Sequence, residues 1–233
     1  MSKRTLFIGD VHGCYDELME LIEKVWLRDE DDLYFVWDLI NKWPKSLEVV
    51  EWIRSRPNTW SVIGNHEYFL MMTDVEWEHM LETHPDMSEW RKAWITSGRA
   101  RTGMIAEIFV REDLRAWLMS LPFFIEKESF IVLHAGIHPD FWLQSSPEIM
   151  TMIREYHEKP WYEYYTGTKP IIYGHWAVDG LRIRKNTIGL DTGCCFGGHL
   201  TCYCLETGEI WQVKAHNVYK FIPIWKDKLM HIR

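Results

Sequence analysis

"TLFIGDVHGCYDELMELIEKV", residues 5–25, begins as an apolar run, Thr5 to Ile8, and breaks at Gly9. After the break, Leu18, Leu21, Ile22 and Val25 recur at helical spacing. A short strand that passes through a glycine-flanked Asp-x-His turn into an amphipathic helix is the opening of an α/β unit. It also delivers a carboxylate, Asp10, and an imidazole, His12, to the carboxyl end of the strand.

The same arrangement recurs further along the chain. Leu33 to Val36 reads as a second strand, which leads to Asp38 and then to a helix over Leu47 to Ile53; Trp60 to Ile63 reads as a third, which leads to "GNHE" at 64–67. Beyond Phe123 the pattern becomes strand-rich. "FFIEKESFIVLH" (123–134) predicts a hairpin and "KPIIYGH" (169–175) a strand. "LRIRKNTIGLDTG" (181–193) and "HLTCYCLETGEIWQV" (199–213) predict antiparallel strands with a turn at Glu206-Thr207-Gly208. The expected class is α/β grading into α+β: mixed sheets packed centrally and flanked by helices. Residues 1–233 are expected to form one domain, with a helical insertion around 68–120, where Met, Trp and charge are concentrated.

Composition narrows the function. With 233 residues and 47% hydrophobic side chains, the chain is long enough for one substantial core. A net charge of −8 argues against extended DNA or RNA binding through phosphate contacts, and leaves room only for a local basic pocket. The start, Met-Ser-Lys-Arg-Thr, runs into "LFIGD" without an apolar signal core, and no apolar run is long enough to span a membrane, so a cytoplasmic protein without membrane contact is expected. Five cysteines spaced without a framework suit a reducing compartment; Cys194, Cys195, Cys202, Cys204 and His199 match no ordinary zinc finger.

Five predicted strand ends carry ligand-type side chains: Asp10 with His12, Asp38, Asn65 with His66, His134, and His175. Glycines at 9, 13, 64, 136 and 174 flank them. One strand-end histidine is more often structural, but five such ends point to a shared crevice. Two divalent cations need hard oxygen donors, imidazoles and a shared carboxylate. Asp10 and His12 suit one ion, Asn65, His134 and His175 the other, with Asp38 as the bridge and His66 left to protonate a leaving oxygen. Histidines 79, 84, 138, 157, 199, 216 and 231 lack that context and read as surface or core. Asp191, in "DTGC", reads as a turn residue that stabilises a sheet end.

Taken in order, "GDVHG", "DLINKWPKS", "GNHE", "LHAGI", "YGHW" and "DTGC" span residues 9–194 and resemble the phosphoprotein phosphatase branch of the calcineurin-like metallophosphoesterases. The resemblance implies metal ligation by Asp10, His12, Asp38, Asn65, His134 and His175, with His66 as general acid. It implies two divalent ions, manganese foremost, with cobalt, iron or zinc compatible. "YGHWAVDGL" and "LDTGCCFGGHLTCYCLETGE" are similar to symmetrical diadenosine tetraphosphate hydrolases and ApaH-like phosphatases. Asn41 stands where protein-phosphatase members place an aspartate that orients the acid histidine, which favours a dinucleoside polyphosphate, or a capped RNA 5′ end, over a phosphoprotein. A serine/threonine or dual-specificity protein phosphatase and a catalytically weakened metal- and nucleotide-binding protein are the alternatives. The oligomeric state is open.

Outside the metal set, Lys42 occupies the family's arginine position and offers a point charge in place of a planar fork. Arg154 lies where relatives carry a second phosphate-clamping arginine; its competing reading is a solvated helix charge. Arg182 and Arg184 alternate on a strand and read as a water-facing pair. Rings of "KPWYEYYTG" (159–167) are candidates for stacking a base or for core packing. Trp37 and Trp43 replace family glycines on either side of the Asp38 turn. At least one indole is expected within reach of the metal site, and glycine at both positions is expected to raise turnover.

Overall fold

The computed structural model describes residues 2–40, 42, 45–71 and 111–219. Most of the expected insertion, 72–110, lies outside the described residues, as do Asn41 and Trp43.

Two five-stranded sheets form the centre. The first contains β1 (Thr5–Ile8), β2 (Asp32–Phe35), β3 (Thr59–Ser61), β11 (His199–Cys204) and β12 (Ile210–Lys214), in the order β12-β11-β1-β2-β3. The second contains β4 (Phe124–Glu126), β5 (Ile131–Leu133), β8 (Ile171–Tyr173), β9 (Arg182–Ile183) and β10 (Thr187–Gly189), in the order β4-β5-β8-β10-β9. A separate two-stranded ribbon pairs β6 (Glu155–Tyr156) with β7 (Lys159–Pro160). The predicted hairpin over 123–134 is β4–β5, and the turn at 206–208 joins β11 to β12 with Gly208 at φ 69. The third strand falls one residue earlier and is shorter than its apolar run suggests. Val62 and Ile63 are buried beyond the end of the ladder, where the chain bends toward Gly64.

Each sheet has three parallel strands with antiparallel neighbours. β1, β2 and β3 run parallel, registered Leu6 to Leu33 and Leu33 to Thr59, while β5, β8 and β10 do the same in the second sheet. Parallel strands bring their carboxyl ends to one edge. The two triplets therefore present six strand ends, those preceding Asp10, Asp38, Asn65, His134, His175 and Asp191. Leu6, Ile8 and Phe35 of the first sheet and Val132, Ile172 and Ile188 of the second belong to one apolar cluster, so the sheets pack face to face.

Helix α1 (Tyr15–Val25) buries Leu18, Leu21 and Val25 on one side, as its spacing predicts, and packs on β11 and β12. It stops at Trp26, which takes the left-handed conformation at φ 53 and returns its N–H to Glu23. Helix α2 (Ser46–Ser55) buries Val49, Val50 and Ile53. Helix α3 (Asn65–Met71) starts inside the "GNHE" motif, and α4 (Glu112–Met119) and α5 (Pro147–Met152) follow. No helix among the described residues is long and apolar enough to cross a membrane. All five cysteines are buried and free.

One polar anchor ties the start of the chain to the core. The fully buried Asp31 carboxylate accepts from the backbone N–H, Nε and Nη2 of both Arg4 and Arg28. Burial alone would raise its pKa, but the two guanidinium groups outweigh it and hold the carboxyl below the usual range. Because the folded value is depressed, the stabilisation is present above the ordinary aspartate pKa and lost as pH falls below it. Asp31→Asn is expected to lower stability by about 2 kcal/mol at neutral pH. The loss should shrink in urea denaturation at acid pH; a loss independent of pH would contradict the linkage.

Candidate metal centre

The turn after β1 carries Asp10 and His12, and the turn after β2 carries Asp38. All three residues are 3% exposed or less. They are locked together by a backbone bond from His12 N–H to the Asp38 carbonyl at 2.5 Å and another from Gly13 N–H to Leu39 at 2.8 Å. Asp38 reaches two sides at once. Its Oδ2 lies 3.4 Å from His12 Nε2 and 3.8 Å from His66 Nε2, while its Oδ1 lies 3.7 Å from His134 Nε2 and accepts from the His66 backbone N–H at 3.2 Å. Two groups of potential ligand atoms result, His12 with Asp38 and His66, and Asp10 with Asp38 and His134, and Asp38 is common to both. This pairing differs from the sequence reading, which put Asp10 with His12 and left His66 outside the ligand shell.

Asn65 opens α3 and brings in the remaining candidates. Its Oδ1 lies 3.0 Å from His134 Nε2 and 3.0 Å from His175 Nδ1. The Asp10 carboxylate receives the His175 backbone N–H at 3.0 Å. A β-carbon at Gly174 would come within 1.9 Å of Asp10 Oδ1, so only glycine lets that strand end approach.

Three imidazoles share one design that sequence could not supply. The second ring nitrogen of each faces a backbone carbonyl: His12 Nδ1 that of Ile40 at 3.3 Å, His134 Nδ1 that of Val36 at 3.0 Å, and His175 Nε2 that of Met152 at 3.2 Å. A neutral ring that donates its single N–H there turns a lone pair into the site. Neutrality follows from burial, which pushes His134 down to about 3 and His175 well below its ordinary value. With the Asn65 amide oriented oxygen-inward, lone pairs face one another at 3.0 Å, an arrangement that a cation relieves.

The carboxylates make the same demand. Burial first, then the charges of Asp191 and Asp38, pushes Asp10 well above the usual range; burial likewise pushes Asp38 up to about 7. Lys42 and Arg154 act in the opposite sense on Asp38. Hard oxygens and neutral imidazoles, buried and convergent, are the donor set that divalent cations take. The residues present therefore fit a two-cation centre.

Lys42 extends its Nζ to 2.5 Å from His12 Nε2 and lies 4.9 Å over the Phe196 ring. Arg154 is not a solvated helix charge: it follows the end of α5, is half-buried, and its charge acts on Asp38, His134 and His175. Asp191 keeps its turn role, accepting from Gly193 N–H at 3.0 Å, but its buried carboxyl also faces the centre. Glu67, the last residue of "GNHE", had no role in the sequence reading; it is fully buried and accepts the Ile40 N–H at 3.0 Å, holding the Asp38 turn. A third convergence, Cys14, Glu17 and Cys194, lies under the start of α1, where Glu17 accepts from the Tyr219 hydroxyl and His216 N–H.

Backbone strain concentrates here. His12, Trp37, Asp38, Lys42 and His175 have φ values of 50, 95, 55, 74 and 66, a region that disfavours L side chains by about 1–2 kcal/mol each. Trp37 is the extreme case, being fully buried with no partner for its Nε1 among the described residues. Its Cδ1 sits 2.4 Å from where a Gly64 β-carbon would stand, and Asp38 Oδ1 is 2.5 Å from that same point. One of the two indoles thus lies against the metal centre, as wall rather than rim. Removing it relieves strain of about 1–2 kcal/mol but opens a cavity that costs about 3–5 kcal/mol. Trp37→Gly is expected to lower stability by about 2 kcal/mol in urea denaturation; unchanged or higher stability would show that strain dominates.

Comparison with known proteins gives the family. Residues 3–203 match the profile of the calcineurin-like phosphoesterases. The chain is 31% identical to an asymmetrical bis(5′-nucleosyl)-tetraphosphatase, PrpE, of Anoxybacillus flavithermus, over 93% of this chain and 97% of that protein. It is 25% identical to the symmetrical bis(5′-nucleosyl)-tetraphosphatase of Vibrio campbellii, over 91% and 98%. Among solved structures it superposes on one provisionally assigned as a diadenosine tetraphosphatase, with a TM-score of 0.73 and 27% identity over 93% and 96% of the two chains. A protein serine/threonine phosphatase from Saccharomyces cerevisiae, with a TM-score of 0.52 and 12% identity over 95% of this chain and 82% of that one, shares the fold alone. The chain belongs to the calcineurin-like phosphoesterase family.

Proposed function

We propose that this protein hydrolyses the phosphoanhydride chain of dinucleoside polyphosphates of the diadenosine tetraphosphate type, using two divalent cations that share Asp38. The observation that carries the reading is the division of the Asp38 oxygens, one toward His12 and His66 and the other toward His134. The substrate class is supported by relatives bearing bis(5′-nucleosyl)-tetraphosphatase names over nearly their whole lengths.

Asp10, His12, Asp38, Asn65, His134 and His175 would hold the ions, manganese foremost, with cobalt, iron and zinc also suited to this mix of oxygen and nitrogen donors. When bound, such a pair neutralises phosphoryl oxygens and acidifies the attacking water. The chain's own groups do the rest. Lys42 and Arg154 place positive charge where phosphate oxygens gather. Water, giving up one proton to solvent, adds its oxygen to one phosphorus as a P–O–P bond breaks, and protonated His66 gives its proton to the departing phosphate oxygen and is reprotonated from solvent. Asn41, outside the described residues, would orient His66 by hydrogen bonding.

Named relatives include both symmetrical and asymmetrical enzymes, so the products decide between two diphosphates and a mono- plus a triphosphate. Diadenosine tetraphosphate, capped RNA and a phosphopeptide, each offered with manganese, form the deciding panel. Preferential cleavage of the dinucleotide is expected; preferential dephosphorylation of the peptide would overturn the assignment. A second reading, a metal- and nucleotide-binding protein with weakened turnover, is favoured by the strained, buried Trp37 beside Asp38. Turnover near background with two tightly held cations would establish it.

Two variants test the roles. Asp38→Ala is expected to reduce turnover by at least about a thousand-fold and to lose one of two bound ions by metal analysis. Near-normal rate with two ions would exclude the bridge. His66→Ala is expected to slow poor leaving groups by about a hundred-fold and p-nitrophenyl esters far less. An equal loss on both would exclude proton donation by His66.

A further inference from the structure

Strand β9 places its two arginines differently. Arg184 is exposed, whereas Arg182 is 8% exposed. The Arg182 guanidinium lies 4.2 Å over the Trp176 indole and donates through Nη1 to the Trp176 carbonyl at 2.7 Å. Its Nη2 makes no hydrogen bond of good geometry among the described residues, although the Tyr173 hydroxyl lies near the guanidinium. No carboxylate pairs with it among the described residues. A buried guanidinium without a salt-bridge contact costs several kcal/mol, and an apolar side chain would fill the same space more cheaply. Packing therefore does not account for the residue.

Location suggests what does. Trp176 directly follows His175, so the Trp176–Arg182 stack borders the metal centre. Arg182 lies close enough to Arg154 for the two charges to repel, and both are drawn by Asp191. Positive charge thus runs outward from the metal centre, from Lys42 and Arg154 to Arg182. Tyr162 lies 6.3 Å from Trp176, and Arg184 sits 5.6 Å over Tyr162, so the stack continues toward solvent as alternating rings and guanidinium groups. Tyr173 and Gly189 leave the space in which Arg182 turns inward; a β-carbon at Gly189 would come within 2.8 Å of the Tyr173 ring and 3.2 Å of Arg182 Cβ.

We propose that Arg182, held flat on Trp176, is a specificity residue that binds the phosphates of a polyphosphate chain beyond the one attacked. This rests on the reading of the centre as a phosphoanhydride hydrolase. A single phosphate is matched by Lys42 and Arg154; a longer chain brings further oxygens, for which a planar guanidinium offers a two-pronged contact. Loss of the fork, or of its platform, then weakens long polyphosphates selectively.

The test titrates manganese-loaded protein with inorganic tripolyphosphate and with orthophosphate by calorimetry. Wild type is expected to prefer tripolyphosphate. Arg182→Gln, which keeps an N–H for the Trp176 carbonyl but removes the charge, is expected to reduce that preference by about ten-fold. Arg182→Lys, which keeps the charge without the fork, should fall between and serves if the glutamine variant does not fold. In kinetics, the ratio of kcat/KM for diadenosine tetraphosphate to that for p-nitrophenyl phosphate should fall in parallel. A preference within about two-fold of wild type in either folded variant would overturn the proposal. Failure of wild type to cleave the dinucleotide, with the tripolyphosphate preference intact, would instead count against the substrate reading alone.

Discussion

The structure turns on one carboxylate that cannot be left alone. Asp38 is almost fully buried, sits in a left-handed backbone conformation, and is enclosed by three imidazoles. Burial pushes it up to about 7, and Asp10 is raised with it. A buried carboxylate beside neutral rings is unfavourable unless positive charge is supplied. Of the rings in the site, those of His12, His134 and His175 each turn one nitrogen to a backbone carbonyl, of Ile40, Val36 and Met152 respectively, which leaves the other nitrogen's lone pair facing inward. Inward-facing lone pairs and unneutralised carboxylates are both relieved by bound divalent cations.

The two-sheet architecture exists at this point because parallel strands collect their carboxyl ends. Three ends come from each sheet, and the contact between His134 Nδ1 and the Val36 carbonyl joins one sheet to the other at the centre itself. The strained turns are held by bonds within the site: His12 N–H to the Asp38 carbonyl, His175 N–H to the Asp10 carboxylate, and Ile40 N–H to Glu67. Strain and ligand position are thus set together. Any change that relaxes one turn moves a donor atom.

Much of this was legible in the sequence, and the reason is local. Strands of apolar residues ending in glycine-flanked Asp, Asn and His announce themselves within a few positions, as do the hairpin at 123–134 and the turn at 206–208. What escaped depends on contacts between distant residues. The carbonyl partners of the three histidines lie 28, 98 and 23 residues away, and no short pattern encodes them. Alternating Arg182 and Arg184 suggested a water-facing pair, yet Trp176 and the space at Gly189 bury one of them. Trp37 stood out as a departure from glycine, but its packing on Gly64 required the fold. Glu67 does carry a local signal, a charge directly after two candidate site residues.

The central claim is that two cations share Asp38. Anomalous diffraction from crystals of the manganese-loaded protein tests it most directly. The account predicts two peaks about 3.5–4 Å apart, one on either side of the Asp38 carboxylate. A single peak, or two peaks that leave Asp38 uncoordinated, would contradict it.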